Sequence, residues 1–272
     1  MLKTRVVTAL ILLAILLPVL YSSSFQAFAA IAVLFFAAAM WENQRLFRKP
    51  APLAMALVWS GLFVYLLFNL ASFSQPLLFA LCSAFWLLRL IPTLARGLPE
   101  ISSFANGMLS ALYGITIFGC FVAIAVFFQY SPKFLLSVMA IVWVADIGAY
   151  FSGKAFGKHK LAPSISPGKS WEGAVGGWLL VLILSSAATF IPALQDTFPA
   201  QILARLGWIW FFVVMSLLTA ASVVGDLFES SLKRRVGMKD SSSLLPGHGG
   251  VLDRIDALIP VLPLAALLAL WR

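Results

Sequence analysis

Ten acidic residues are spread over 272 positions, and several stand where a carboxylate needs a reason. Asp146 lies in Val-Ala-Asp-Ile-Gly-Ala-Tyr, inside a long apolar run. At such depth a carboxylate costs about 2.5–3.5 kcal/mol on insertion scales, so it must face protein, water or a cation. Asp226 and Glu229 stand at i, i+3, and Glu229 and Lys233 at i, i+4, on one helix face. Glu229 and Lys233 satisfy each other as an ordinary pair. Asp226, one turn deeper, has no obvious local partner. Asp253 and Asp256 repeat the i, i+3 spacing where the last apolar run begins. A helix dipole alone would stabilise acids there by about 0.3–1 kcal/mol each. Opposite Asp226, the same two carboxylates would form an oxygen-ligand site. Hard oxygen donors favour Mg2+, and a chain with two histidines and two cysteines argues against zinc.

Residue types that hold phosphate alternate with these acids. Segment 151–173 carries Lys154, Lys158, Lys160 and Lys169 among Gly153, Gly157 and Gly168, and ends Ser166-Pro-Gly-Lys-Ser-Trp-Glu-Gly. Glycine lets backbone N–H groups approach an anion, and lysine supplies a mobile point charge. The spacing is not that of a Walker loop, so the segment reads either as a phosphate cradle or as a basic loop of the usual membrane-protein kind. Ser166 or Ser170 is placed to cap the next helix, with Glu172 in its first turn. His159, among lysines, reads as a surface residue. A second segment sets His248 among Gly247, Gly249 and Gly250, which suggests a tight turn with exposed amides. Together these features describe a membrane enzyme that transfers a nucleotidyl or phosphoryl group to a lipid.

The elements that must position these residues are membrane helices. The chain is 62% hydrophobic and 11% charged, against about 45–50% and 25% in globular domains, which excludes a soluble fold. Continuous apolar runs exclude a porin-type barrel. Nine stretches approach the length needed to cross about 30 Å of hydrocarbon: about 6–21, 25–41, 51–70, 74–92, 107–129, 133–152, 173–194, 207–228 and 255–271. Ala-Phe-Ala-Ala at 27–30 could pass for a cleavage site, but cleavage would cut into the second stretch, so we read it as retained. The longer connections are 42–50, 93–106, 153–172 and 229–254, and no strand signal is present. We expect an all-α polytopic protein of one domain over 1–272, with about 1–130 as a lipid-accessible scaffold and about 131–272 carrying the catalytic helices and loops. With the N-terminus in the cytoplasm, 16 of the 19 basic residues fall on the cytoplasmic side, leaving Lys133, Arg205 and Arg272 outside. That bias accounts for the net charge of +9 without a nucleic-acid partner. Nine of the ten acids also gather on the cytoplasmic side. Topology rules barely constrain acids, so their clustering has a separate cause. Cys82 and Cys120 lie in apolar runs without CxxC spacing and read as small packed residues.

The stretch Ser230 to Asp256 resembles the signature of the phosphatidate cytidylyltransferase (CDP-diacylglycerol synthase) family. Ser230, Leu232, Lys233, Arg234, Lys239, Asp240, Ser242, Leu245, Pro246, His248, Gly249, Gly250, Val251, Asp253, Arg254, Ile255 and Asp256 fill that pattern without a departure. Asp146-Ile-Gly-Ala-Tyr and the segment from Ser166 to Gly173 also look like the bacterial family, whereas the N-terminal half resembles it by hydropathy only. The resemblance implies transfer of CMP from CTP to phosphatidate, giving CDP-diacylglycerol and pyrophosphate, with Mg2+ required and a second, monovalent cation such as K+. It implies a multi-pass protein of the bacterial inner membrane with its site at the cytoplasmic face. The expected partners are CTP, phosphatidate and the bilayer, with a homodimer as the candidate assembly. On this reading Asp226 and Asp253 ligate Mg2+, with Asp256 as a further ligand or orienter. Lys233, Arg234, Lys239, Lys169 and the Gly249 and Gly250 amides hold phosphates. Arg254 clamps the lipid phosphate or pairs with Asp226, Asp146 lines the site or contacts the nucleotide, Lys160 and Ser166 bind substrate, and His248 is structural or a phosphate donor. A CTP-dependent lipid kinase of the polyprenol type is the nearest alternative, and a secondary transporter a more distant one.

Overall fold

The structure, a computed structural model, describes residues 24–70 and 74–270 together with Ala14, Pro18 and Val19. The first expected span and the N-terminal orientation therefore lie almost wholly outside the described residues. Helix α1 runs Phe25–Leu46, opened by the Ser24 side chain, which accepts from the Ala27 N–H. It continues past the expected end at 41, so that Glu42, Asn43 and Gln44 fall in its last turns and are buried. Hydropathy reads such residues as a loop. They are nonetheless good helix formers in part, and here protein rather than water surrounds them.

Helix α2 spans Pro52–Phe68. Helix α3 (Gln75–Phe85) passes through a π-helical turn, Trp86–Leu90, into α4 (Ile91–Arg96). Gly97 ends α4 at φ +88°, a value that favours glycine. Ser103 caps α5 (Phe104–Tyr130) and Ser131 caps α6 (Pro132–Phe156). A short antiparallel hairpin follows, β1 (Lys160–Ala162) and β2 (Ser166–Ser170), with Lys160 opposite Ser170 and Ala162 opposite Ser166. The sequence shows no strand signal there because the strands are too short for an alternation. Glu172 ties the hairpin down by accepting from the Lys158 and His159 N–H groups. Ser170, rather than Ser166, caps α7 (Trp171–Ala188) through the Gly173 N–H. Helix α8 covers Phe198–Arg235, broken at Gly207 with φ +75°. After the signature loop come α9 (Leu252–Ile255) and α10 (Leu258–Leu270). Six described helices are long and apolar enough to cross a membrane, and α2 and α10 are shorter apolar helices.

Helix α5 packs against α1, α3, α6 and α10. Phe36 of α1 and Phe63 of α2 meet Phe118 and Phe121 of α5 edge-on. Helices α6 and α7 pack closest of all, and small residues make that possible. A Cβ on Gly148 would stand 2.9 Å from the Gly177 Cα, and one on Gly173 would stand 2.8 Å from the Ala149 carbonyl oxygen. This glycine seam holds Asp146 of α6 beside the hairpin and α8.

Candidate active site

At the hairpin end of the α6–α7 seam lies a cavity of about 530 Å3, lined by Asp146, Ser166, Lys169 and Asp226 together with Thr219 and Ser222. Lys169 Nζ stands 2.6 Å from Asp226 Oδ2. Ser230 Oγ donates to Asp226 Oδ1 at 3.1 Å. Asp226, for which the sequence offered no partner, thus has two, one of them from a hairpin 57 positions away in the chain. Both side chains of the ion pair are more than a quarter exposed. A partly wet pair of this kind contributes little by itself and is open to exchange with a ligand.

Of the other expected site residues, Lys239, His248, Gly249 and Arg254 line a second cavity of about 710 Å3, formed by the signature loop together with Asp240 and Ser242. Lys160 lines neither cavity; it is exposed on β1. Arg234 Nε donates to the Ile165 carbonyl at 3.2 Å, fastening the hairpin turn to α8. Arg254 does not pair with Asp226. Its Nη2 donates to the His248 carbonyl at 2.6 Å, bracing the turn whose rim it shares.

Two buried carboxylates shape the signature loop. Asp253 Oδ2 accepts from the Ser241 N–H, the Ser241 hydroxyl and the Gly250 N–H, each at 2.8 Å. Its Oδ1 meets Lys233 Nζ at 2.6 Å. Burial opposes the charge on Asp253, but Lys233 and the Gly250 and Ser241 amides outweigh it and hold this carboxyl below the usual range. Lys233 also lies 2.7 Å from Glu229 Oε2, and the three side chains are almost fully buried. Lys233, expected to hold phosphate, here cross-links α8 and α9, because a buried ammonium must be paired. The Gly249 and Gly250 amides are likewise not free for phosphate. The Gly249 N–H bonds the Leu245 carbonyl at 3.1 Å, and the Gly250 N–H bonds Asp253.

The second carboxylate was missed by sequence reasoning. Glu42 of α1 is fully buried. Its Oε1 accepts from the Val251 N–H at 3.0 Å and from the Ser242 hydroxyl. Its Oε2 accepts from the Leu252 N–H at 2.6 Å and the Ser241 hydroxyl at 3.2 Å. Arg235, also missed, locks the same end of the bundle. It donates to Asn106 Oδ1 at 2.8 Å, to the Pro99 carbonyl at 3.2 Å and to the Leu46 carbonyl at 3.3 Å. The one available signal for Glu42 was the unexplained gathering of acids on one side.

The expected convergence of Asp226, Asp253 and Asp256 is not present as a three-ligand cluster. Among the described residues, no group of three or more Asp, Glu, His or Cys side chains is placed to hold a metal. Asp226 faces the first cavity, Asp253 is turned toward loop donors, and Asp256 Oδ1 accepts from the Ala257 N–H at 2.7 Å. What the arrangement offers is two cavities with cationic linings, Lys154 and Lys169 in one and Lys239 and Arg254 in the other. Such sites suit a multiply charged anion.

Comparison with known proteins agrees with this chemistry. The family model described as "Cytidylyltransferase family" matches residues 3–271. A Haemophilus influenzae protein named phosphatidate cytidylyltransferase is 39% identical over 291 residues, covering 97% of this chain and 96% of the relative. Proteins of the same name from Pseudomonas aeruginosa and Bacillus subtilis are 53% identical over 137 residues and 38% identical over 164 residues. Those two alignments cover 50% and 60% of this chain and 47% and 57% of the relatives. With a match spanning nearly its whole length and a cation-lined site at one end of its helical bundle, this chain belongs to the cytidylyltransferase family.

Proposed function

We propose that this membrane protein is a phosphatidate cytidylyltransferase, which joins CMP from CTP to phosphatidate and releases pyrophosphate. The reading is supported by the name of the Haemophilus relative, which aligns over nearly the full chain. The observation that carries it is the Lys169–Asp226 pair inside a cavity that also holds Asp146 and Ser166. An exchangeable ammonium–carboxylate pair is what a site needs if it must take up phosphate on one partner and a cation on the other.

A phosphate oxygen of phosphatidate attacks the α-phosphorus of CTP. As the new P–O bond forms, the bond from the α-phosphorus to the oxygen bridging to the β-phosphate breaks, and pyrophosphate leaves with that electron pair. The attacking oxygen is already ionised near pH 7, since the second pKa of a phosphate monoester is about 6, so no side chain has to remove a proton. The main obstacle is repulsion between two polyanions. Lys169 neutralises charge in the first cavity, while Lys239 and Arg254 do so beside the signature loop. Asp146 and Ser166 orient the nucleotide, and His248 supports the turn that carries Arg254.

We take Mg2+ as the cation of this reaction. Cationic Nζ atoms already lie 2.6 Å from Asp226 Oδ2 and from Asp253 Oδ1. Asp253 Oδ1 meets Lys233 alone, so a lone pair is left on it. Mg2+ is commonly held by one or two carboxylates plus substrate phosphates. We assign Asp226 and Asp253 as its holders, with Asp256 supporting them. When bound, the ion supplies further neutralisation of the phosphates. We place the site at the cytoplasmic face of the bacterial inner membrane, where phosphatidate carries its head group.

The test is incubation of the purified protein with phosphatidate, Mg2+ and CTP labelled with 32P at either the α or the γ position. Lipid labelled from the α position, with pyrophosphate released, is the expected result. Lipid labelled from the γ position would instead identify a CTP-dependent lipid kinase and overturn the proposal.

A further inference from the structure

A second concentration of positive charge lies apart from both cavities, at the junction of α4 and α5. Arg89 sits in the π-helical turn and Arg96 in the last turn of α4. The two, with Thr93 between them, line a concavity of about 170 Å3 closed by Gly97 and Pro99. No carboxylate lines it. Among the described residues, neither guanidinium forms an ion pair with an acid, whereas Lys169, Lys233 and Lys133 each do. Two unneutralised guanidiniums in one pocket call for an anion, and their planar forks suit phosphate.

The rim shows what kind of anion. Leu88 also lines the pocket, is 76% exposed, and is flanked by Leu87 at 66%. Phe104, at the start of α5, is 88% exposed. In a chain with this many membrane helices, such side chains face acyl chains. The level of the pocket is fixed as well. Its Pro99 carbonyl accepts from Arg235, two residues beyond the Lys233 that anchors Asp253. The pocket is therefore at the same end of the bundle as the signature loop, where an apolar belt gives way to a basic mouth. Its volume suits a phosphate with its ester carbons, while nucleotide-sized ligands take sites of about 300 Å3 or more.

We infer that the Arg89–Arg96 pocket binds the phosphodiester head group of an anionic phospholipid, whose acyl chains lie along Leu88 and Phe104. This site is separate from the cavities assigned to CTP and phosphatidate, and nothing in the proposed reaction requires it. Basic pockets between membrane helices at head-group level are suited to such lipids.

The full-length protein is placed in phosphatidylcholine vesicles doped with dansyl-phosphatidylglycerol or dansyl-phosphatidylcholine, without CTP or phosphatidate. Energy transfer from tryptophan reports binding. The experiment is thus independent of whether the proposed chemistry is right. Wild type is expected to prefer the anionic lipid. Arg89→Gln with Arg96→Gln should weaken that preference about 30-fold, from about a fivefold effect per basic residue. Arg89→Lys with Arg96→Lys should retain most of it, and Lys133→Gln should leave it unchanged. In wild type the preference should shrink as salt rises, because these guanidiniums are partly exposed, and glycerol 3-phosphate should not displace the lipid. An unchanged preference in a folded glutamine variant would overturn the inference. So would a salt-insensitive preference in wild type, which keeps the question decidable if the variant fails to fold. Displacement by glycerol 3-phosphate would mark a free-phosphate site and would equally refute the lipid assignment.

Discussion

Glu42→Gln tests whether the first described helix organises the catalytic loop. Each Glu42 oxygen accepts from one backbone N–H and one hydroxyl, Val251 and Ser242 on Oε1, Leu252 and Ser241 on Oε2. A glutamine amide has only one acceptor oxygen. Whichever way it flips, its NH2 group faces a backbone N–H that cannot turn away, although the serine hydroxyls can rotate to receive it. One buried N–H is left without an acceptor, at about 1–3 kcal/mol, and the remaining bonds lose the assistance of a charge. We take about 2 kcal/mol as the net loss of loop order, a factor of about 30 in population. Limited trypsin digestion reads this directly, because Lys239 lies in the loop and cleavage of an open state tracks its population when reclosing is fast. The expected result is cleavage at Lys239 about 30 times faster, with a lower kcat/KM for CTP and an unchanged yield of membrane-inserted protein. Glu42→Asp, which keeps the charge but shortens the reach, should fall between. If Glu42→Gln is cut at Lys239 no faster than wild type, the loop does not depend on α1 and the reasoning fails.

Three further predictions follow from the same geometry. Gly250→Ala should damage the loop even with Glu42 intact, since a Cβ there would run into Ser241 Oγ and Glu42 Oε1; CMP transfer should drop at least tenfold, and activity near wild type would show that the loop has room we do not see. Asp226→Asn should abolish pyrophosphate release while leaving the protein folded and extractable, and chelation of Mg2+ should do the same to wild type, reversibly; survival of most activity in either case would remove Asp226 from the metal assignment. Lys133→Ala removes an exposed pair with Asp196 at 2.7 Å, whose lysine holds the Asp196 carboxyl below its usual range; turnover should change less than twofold, because exposed pairs contribute little, and a larger loss would mean that this face matters to catalysis.

Much of the protein is legible in its sequence because lipid is a demanding solvent. Backbone groups in a bilayer must be satisfied within a helix, so long apolar runs such as 107–129 and 133–152 admit one structure. The i, i+4 spacing of Glu229 and Lys233 dictates their pairing, and Glu172 after Ser166 or Ser170 marks a helix start, because both depend on neighbours a turn away; the choice of Ser170 came from the structure. The stretch from Ser230 to Asp256 points to the chemistry through its resemblance to a family signature. What the tertiary structure decided is which polar groups meet. Lys169 reaches Asp226, Arg235 reaches Asn106, and Glu42 reaches a loop some 200 positions later. None of these contacts is set by local spacing; each exists because buried charges and amides must find partners once the helices have packed. The same demand turned Lys233 and the Gly250 amide inward to hold Asp253, and set Asp226 and Lys239 in two different cavities although the linear pattern had gathered them into one site.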